Sequence, residues 1–104
     1  MLCDGKDCKL ISLGDVRYFE SCGSYSKTWF NGGHQLIYRS LNHLDSRLSG
    51  RHFFRANRQF IINISHIREV GQNRSSGFKI VMTCGKMIDI SRRRAQLFRE
   101  TLSL

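Results

Sequence analysis

Short runs of alternating apolar and polar residues, separated by turn residues and never by proline, most limit what this chain can fold into. Phe78, Ile80 and Met82 alternate with Lys79, Val81 and Thr83, the two-residue period of a half-buried strand. Residues 15–20 and 25–30 read as strands around a turn at Ser21-Cys22-Gly23-Ser24. Asn31-Gly32-Gly33 is a sharper turn, because Asn-Gly tolerates positive φ, and residues 34–39 give the returning strand. Ser40 then caps a short helix in which Leu41, Leu44 and Leu48 share one face, with Gly50 as its stop. Phe53-Phe54-Arg55 and residues 60–64 are strand material around a polar interruption. Residues 66–70 and 77–83 pair across a turn at 71–76, and residues 87–90 follow as another strand. Ser91 caps a final helix with Ala95, Phe98 and Leu102 on one face. Many short strands with one brief helix in the middle and one at the C-terminus make a mainly β fold.

A length of 104 residues suits one domain. Residues 1–9 are polar and read as a linker end or loosely ordered leader, leaving 10–104 as the folded unit. No run approaches the roughly 18 apolar residues of a membrane span. Asp4, Lys6, Asp7 and Lys9 interrupt anything resembling a signal peptide, so the expected location is the cytoplasm.

Charge narrows the function. Seventeen Lys and Arg stand against eight Asp and Glu, a formal net charge of +9. Between Ser21 and Ile88 the only acids are Asp45 and Glu69. Arginines outnumber lysines twelve to five, and the planar guanidinium fork matches phosphate and the guanine edge as an ammonium does not. A polyanionic partner follows. Nucleic acid leads, and an anionic membrane surface comes second because no long amphipathic basic helix is visible.

Other classes lose ground on chemistry. Cys3, Cys8, Cys22 and Cys84 form no C-x-x-C pair, and His34, His43, His52 and His66 lie too far apart for a zinc constellation, so no metal or cofactor is expected. Cys22 and Cys84, in or beside apolar strand segments, read as small hydrophobes. Phosphodiester hydrolysis by metals needs clustered carboxylates, and eight scattered acids offer none, so no catalytic residue is assigned.

Three segments could carry binding chemistry. Arg92, Arg93 and Arg94 follow the Ser91 cap, where the helix dipole disfavours cations by up to about 1 kcal/mol each; free N–H groups and guanidinium groups together suit an anion. Arg55-Ala56-Asn57-Arg58-Gln59 holds the side chains that pair with guanine and adenine in a major groove, though a polar crossover loop fits equally well. Gly23-Ser24-Tyr25-Ser26-Lys27 enters a strand with hydroxyls and an amine, a pattern common to many turns.

Taken in order, Asp15-Val16-Arg17-Tyr18-Phe19-Glu20-Ser21, Arg39-Ser40-Leu41-x-x-Leu44, the block from Phe53 to Asn63, and Ile88-Asp89-Ile90-Ser91-Arg92-Arg93 resemble the LytTR domain over residues 10–102. The resemblance implies an elongated stack of short antiparallel sheets whose loops, rather than a recognition helix, enter successive major grooves of double-stranded DNA. It implies the output domain of a bacterial response regulator in a two-component system, normally behind a receiver domain. With no receiver ahead of Met1, the chain reads as a fragment of such a regulator, dimerising on direct-repeat sites through the receiver. By position, the DNA-reading loops fall on Ser24, Tyr25, Ser26 and Lys27, on Asn57, Arg58 and Gln59, and on Arg92 and Arg93. Arg94, one residue further into the helix, is expected to clamp phosphate. The rival reading is a small β-barrel for single-stranded nucleic acid, which requires aromatics along one open sheet face; the aromatics here fall at strand positions that look like core.

Overall fold

The computed structural model describes residues 2–4, 7–9, 13–30, 33–48, 50, 52–72 and 77–102. Ten strands and two helices follow one another in it. The strands are β1 (Leu2–Asp4), β2 (Asp7–Lys9), β3 (Val16–Cys22), β4 (Tyr25–Phe30), β5 (Gly33–Ile37), β6 (Phe53–Arg55), β7 (Phe60–Asn63), β8 (Ile67–Gln72), β9 (Phe78–Met82) and β10 (Met87–Ile90). The helices are α1 (Leu41–Arg47) and α2 (Arg92–Leu102). All pairings are antiparallel. A five-stranded sheet runs β5-β4-β3-β7-β6, a three-stranded sheet runs β10-β9-β8, and β1 pairs only with β2. Within the segment read as a leader, then, the chain forms a two-stranded ribbon.

The strand sequences dictate the layering. Successive side chains of a strand point to opposite faces, and three strands of the large sheet carry adjacent apolar residues: Tyr18 and Phe19, Phe53 and Phe54, Ile61 and Ile62. Such strands must be covered on both sides. Phe19, Phe53 and Ile61 pack with Val16 and Ile37 under Leu41 and Leu44 of α1. Tyr18, Phe54 and Ile62 form a second core with Ile80, Met82, Ile88 and Ile90 of the small sheet and Phe98 of α2. The result is three layers: α1, the large sheet, then the small sheet with α2. The molecule measures 43 × 23 × 23 Å, which makes it elongated.

Ser40 caps α1 as expected, its hydroxyl accepting from the His43 amide. The helix stops earlier than Gly50: Leu48 turns extended (φ −83°, ψ 150°) and half-buries its side chain against the α1 core. Short 3₁₀ turns at Leu13–Asp15 and Ile64–His66 replace the outer ends of the strands expected there. The turn expected at 31–33 lies partly outside the described residues, as do residues 73–76 of the expected 71–76 turn.

Two expectations fail at the surface. Cys22 and Cys84 are exposed, because Cys22 ends β3 at its hairpin and Cys84 lies in the turn between β9 and β10. Leu102 is 41% exposed, because α2 runs beyond the edge of the small sheet in its last turn.

Phe98 is fully buried and stacks at a tilt against Phe54 (5.2 Å) and Phe78 (5.3 Å). Phe98→Ala should therefore cost about 3–5 kcal/mol, as deletion of a buried ring typically does. Leu102→Ala should cost under about 1 kcal/mol. Urea unfolding of both variants checks this; equal costs would mean that α2 is not held by Phe98.

Candidate nucleic-acid interface

β3 and β4 are joined by a two-residue turn, Gly23-Ser24, with Gly23 at φ +64°, a value that favours glycine. Because β3 ends where β7 begins, the turn lies at the same end of the sheet as the β6–β7 loop. The Ser21 amide donates to the Gln59 carbonyl (2.7 Å), joining the two loops directly. The start of α2 reaches the same loop from the other side. The Ser91 amide donates to the Ala56 carbonyl (3.3 Å), and Asn57 Nδ2 donates to the Asp89 carbonyl (2.5 Å). Three segments far apart in sequence thus stand in one row at one end of the molecule, in the order β3–β4 turn, β6–β7 loop, α2 N-terminus.

Arg55 holds the middle of the row. Its Nε donates to the Asn57 carbonyl (2.7 Å), one Nη to the Arg58 carbonyl (3.1 Å) and the other to Asn42 Oδ1 of α1 (2.9 Å). Asp45 of α1 lies 3.9 Å from the same guanidinium. Burial lowers the Arg55 pKa below the usual arginine value; Asp45 opposes the shift and neighbouring Arg94 adds to it. The side chain is 13% exposed, so it supports the loop from beneath while Arg58 and Gln59 stay exposed.

The candidate residues divide into those presented to solvent and those spent on the fold. Ser24, Tyr25, Arg58, Gln59, Arg92 and Arg93 are exposed. Ser26 is fully buried, and its hydroxyl donates to the Arg39 carbonyl (2.8 Å). A residue with no exposed surface has no access to DNA. Lys27 lies half-buried on the sheet face, its ammonium 5.6 Å from the Trp29 ring. Asn57 is half-buried, and its Oδ1 accepts from the Gln59 (2.8 Å) and Phe60 (3.2 Å) amides while Nδ2 holds β10. Its amide braces the loop. Arg94 Nε donates to the Arg55 carbonyl (2.6 Å), and its guanidinium covers the Phe54 ring at 5.5 Å, so the expected phosphate clamp is half committed to packing.

Between these elements lies an open groove of about 960 Å³, lined by Arg55, Arg58, Arg93 and Arg94 with Asp45 as its one acid. The excess of cations suits a polyanion. Sequence reasoning missed Arg55 as the organiser: its position between Phe54 and Ala56 was visible, but the carbonyls it clasps were not. It also took the aromatics for core. Tyr25 and Tyr38 are 43% and 52% exposed, because the small sheet covers only part of the large one. Among the described residues no three His, Cys, Asp or Glu side chains group as a metal site. No described helix is long and apolar enough to cross a membrane.

A mainly β stack with basic loops gathered at one end of its large sheet is a fold shared with known DNA-binding domains. The profile of the LytTr DNA-binding domain matches residues 6–103, and the chain belongs to this family. A CO-responsive transcriptional regulator, RcoM of Rhodospirillum rubrum, is 27% identical over 101 residues, covering 96% of this chain and 43% of the relative. The chain thus spans less than half the length of that regulator. The fold matches the solved LytTr DNA-binding domain of a Bacillus cereus protein described as a methyl-accepting/DNA response regulator. The TM-score is 0.87 at 23% identity, over 99% of this chain and 94% of the other.

Arg55→Lys keeps the charge but has no fork to bridge two carbonyls. We expect it to lower stability by about 1–3 kcal/mol, the range for lost charge-assisted hydrogen bonds. Amide exchange at Arg58 and Gln59 should accelerate well beyond the global change. Exchange there that merely tracks global stability would mean the loop stands without the clasp.

Proposed function

We propose that this domain binds double-stranded DNA sequence-specifically as the output module of a bacterial transcriptional regulator acting in the cytoplasm. The observation that carries the reading is the row of three loops with Arg58, Gln59, Arg92 and Arg93 exposed and their supports half-buried. Strands lie about 4.8 Å apart. From β4 to β6 is three spacings, about 14 Å, and α2 packs on the face of the sheet beside β6, so the row is about 15–20 Å long. A row of this length is shorter than the roughly 34 Å between successive major grooves, so it lies along one side of the duplex within a single turn. Arg58 and Arg93 suit guanine, and Gln59 suits adenine.

A row read from one side favours directly repeated half-sites, with dimerisation supplied by another domain of the regulator, a receiver in response-regulator relatives. Single-stranded binding is less well supported: Tyr25 and Tyr38 meet edge to face at 4.9 Å with an interplanar angle of 86°, which closes one ring face against the other.

Binding that neutralises about five to eight phosphates gives a log K against log[salt] slope near −4 to −7. Equal affinity for single strands, or salt-insensitive binding, would sink the proposal. On a site selected from random duplex DNA, Arg58→Ala and Arg93→Ala should each cost about 1–3 kcal/mol of discrimination over a scrambled site. An unchanged ratio with lower total affinity would make them positioning residues.

A further inference from the structure

The row has a member beyond its three loops. β5 pairs antiparallel with β4, with Ser26 opposite Ile37, so the chain leaves β5 at the same end of the sheet as the β3–β4 turn. The next residues, Tyr38 and Arg39, are both exposed. They are also built onto the first loop. The fully buried Ser26 hydroxyl donates to the Arg39 carbonyl at 2.8 Å, and the Tyr38 ring packs edge-on against Tyr25 with centroids 4.9 Å apart. Ser40 starts α1 directly after them, which fixes the backbone on the other side.

Arg39 is unspent. One Nη donates to the Tyr38 carbonyl (2.9 Å), and among the described residues the only ion pair is that of Arg55 with Asp45. A guanidinium carries five N–H donors in a planar fork, so Arg39 keeps most of its hydrogen-bonding capacity and its whole charge facing solvent. Two neighbouring tyrosines, 43% and 52% exposed, stand beside it. A buried serine spent on a backbone carbonyl, an aromatic pair left in solvent and an unpaired cation have a common explanation if the segment meets a phosphate. Arginine and tyrosine hydroxyls are standard donors to a nucleic-acid backbone.

We infer that Tyr38 and Arg39 form a fourth DNA-contacting element, which grips backbone phosphate and reads no base. The inference rests on the proposal that this end of the sheet faces duplex DNA. It adds one strand spacing of about 4.8 Å to the outer end of the row. At that end Arg39 borders the groove entered by Ser24 and Tyr25, where a phosphate strand flanks the bases. Its fork accepts a phosphate through two parallel bonds.

The test is fluorescence anisotropy of the full 104-residue chain on a labelled mixed-sequence 40-base-pair duplex, from 50 to 300 mM KCl. Arg39→Ala should weaken binding about fivefold and flatten the salt slope by about one unit, the signature of one lost phosphate contact. Arg39→Lys should keep the slope. Arg68→Ala, exposed on β8 in the small sheet and outside the row, should change neither. Ser26→Ala removes no charge, so it should weaken binding while leaving the slope near the wild-type value. An unchanged slope in Arg39→Ala, with steep wild-type binding, overturns this inference and leaves the proposed function standing. Absence of wild-type duplex binding removes both. Thermal melts within a few degrees of wild type exclude misfolding; if Arg39→Ala fails that check, Arg39→Gln carries the same comparison.

Discussion

The β6–β7 loop depends on one guanidinium that is largely shielded from solvent. Arg55 sits at the last position of a three-residue strand, and its three side-chain nitrogens reach the Asn57 and Arg58 carbonyls and the Asn42 side chain. The carbonyls of Asn57 and Arg58 are not engaged by strand pairing, so a side chain that holds them restricts the loop. By taking both carbonyls, Arg55 turns a crossover into a rigid platform and links it to α1. Its own carbonyl then accepts from Arg94, so the same residue ties the platform to α2. Loop, middle helix and terminal helix meet at one side chain.

Similar residues divide their labour by position. Arg55 and Arg94 are held by the protein, while Arg58, Arg92 and Arg93 face outward. Asn57 engages both ends of its amide inside the protein, and Gln59 beside it is exposed. Binding residues held within tenths of an ångström require such supports, since a loose first contact forfeits the entropy advantage of a prepared surface.

Much of the fold could be read from residue order. The alternation in β9 and β10 appears as buried Ile80, Met82, Ile88 and Ile90, and the doubled aromatics Phe53-Phe54 reach two cores, as period-two geometry requires. The Ser40 cap and the short α1 were equally visible. What could not be read was long-range. Nothing local distinguishes Arg55 from Arg58, because the difference lies in carbonyls that only the folded loop brings near. Ser24 and Ser26 look alike in sequence, but Ser24 lies exposed in the turn while Ser26, inside β4, is buried with its hydroxyl on the Arg39 carbonyl. The exposure of Tyr25 and Tyr38 depends on how far the small sheet overlaps the large one, which no single strand encodes.

The central sheet supplies an inner wall to both cores: Tyr18, Phe54 and Ile62 to one, Phe19, Phe53 and Ile61 to the other. Neither core can be dismantled while the other survives, because the same backbone ladder carries both. A molecule 43 Å long might be expected to open in pieces, as repeat proteins do. Here the shared ladder couples the two cores, which favours their unfolding together. A distortion introduced on the α1 side is therefore passed through the sheet toward α2, even though a single loop can open on its own.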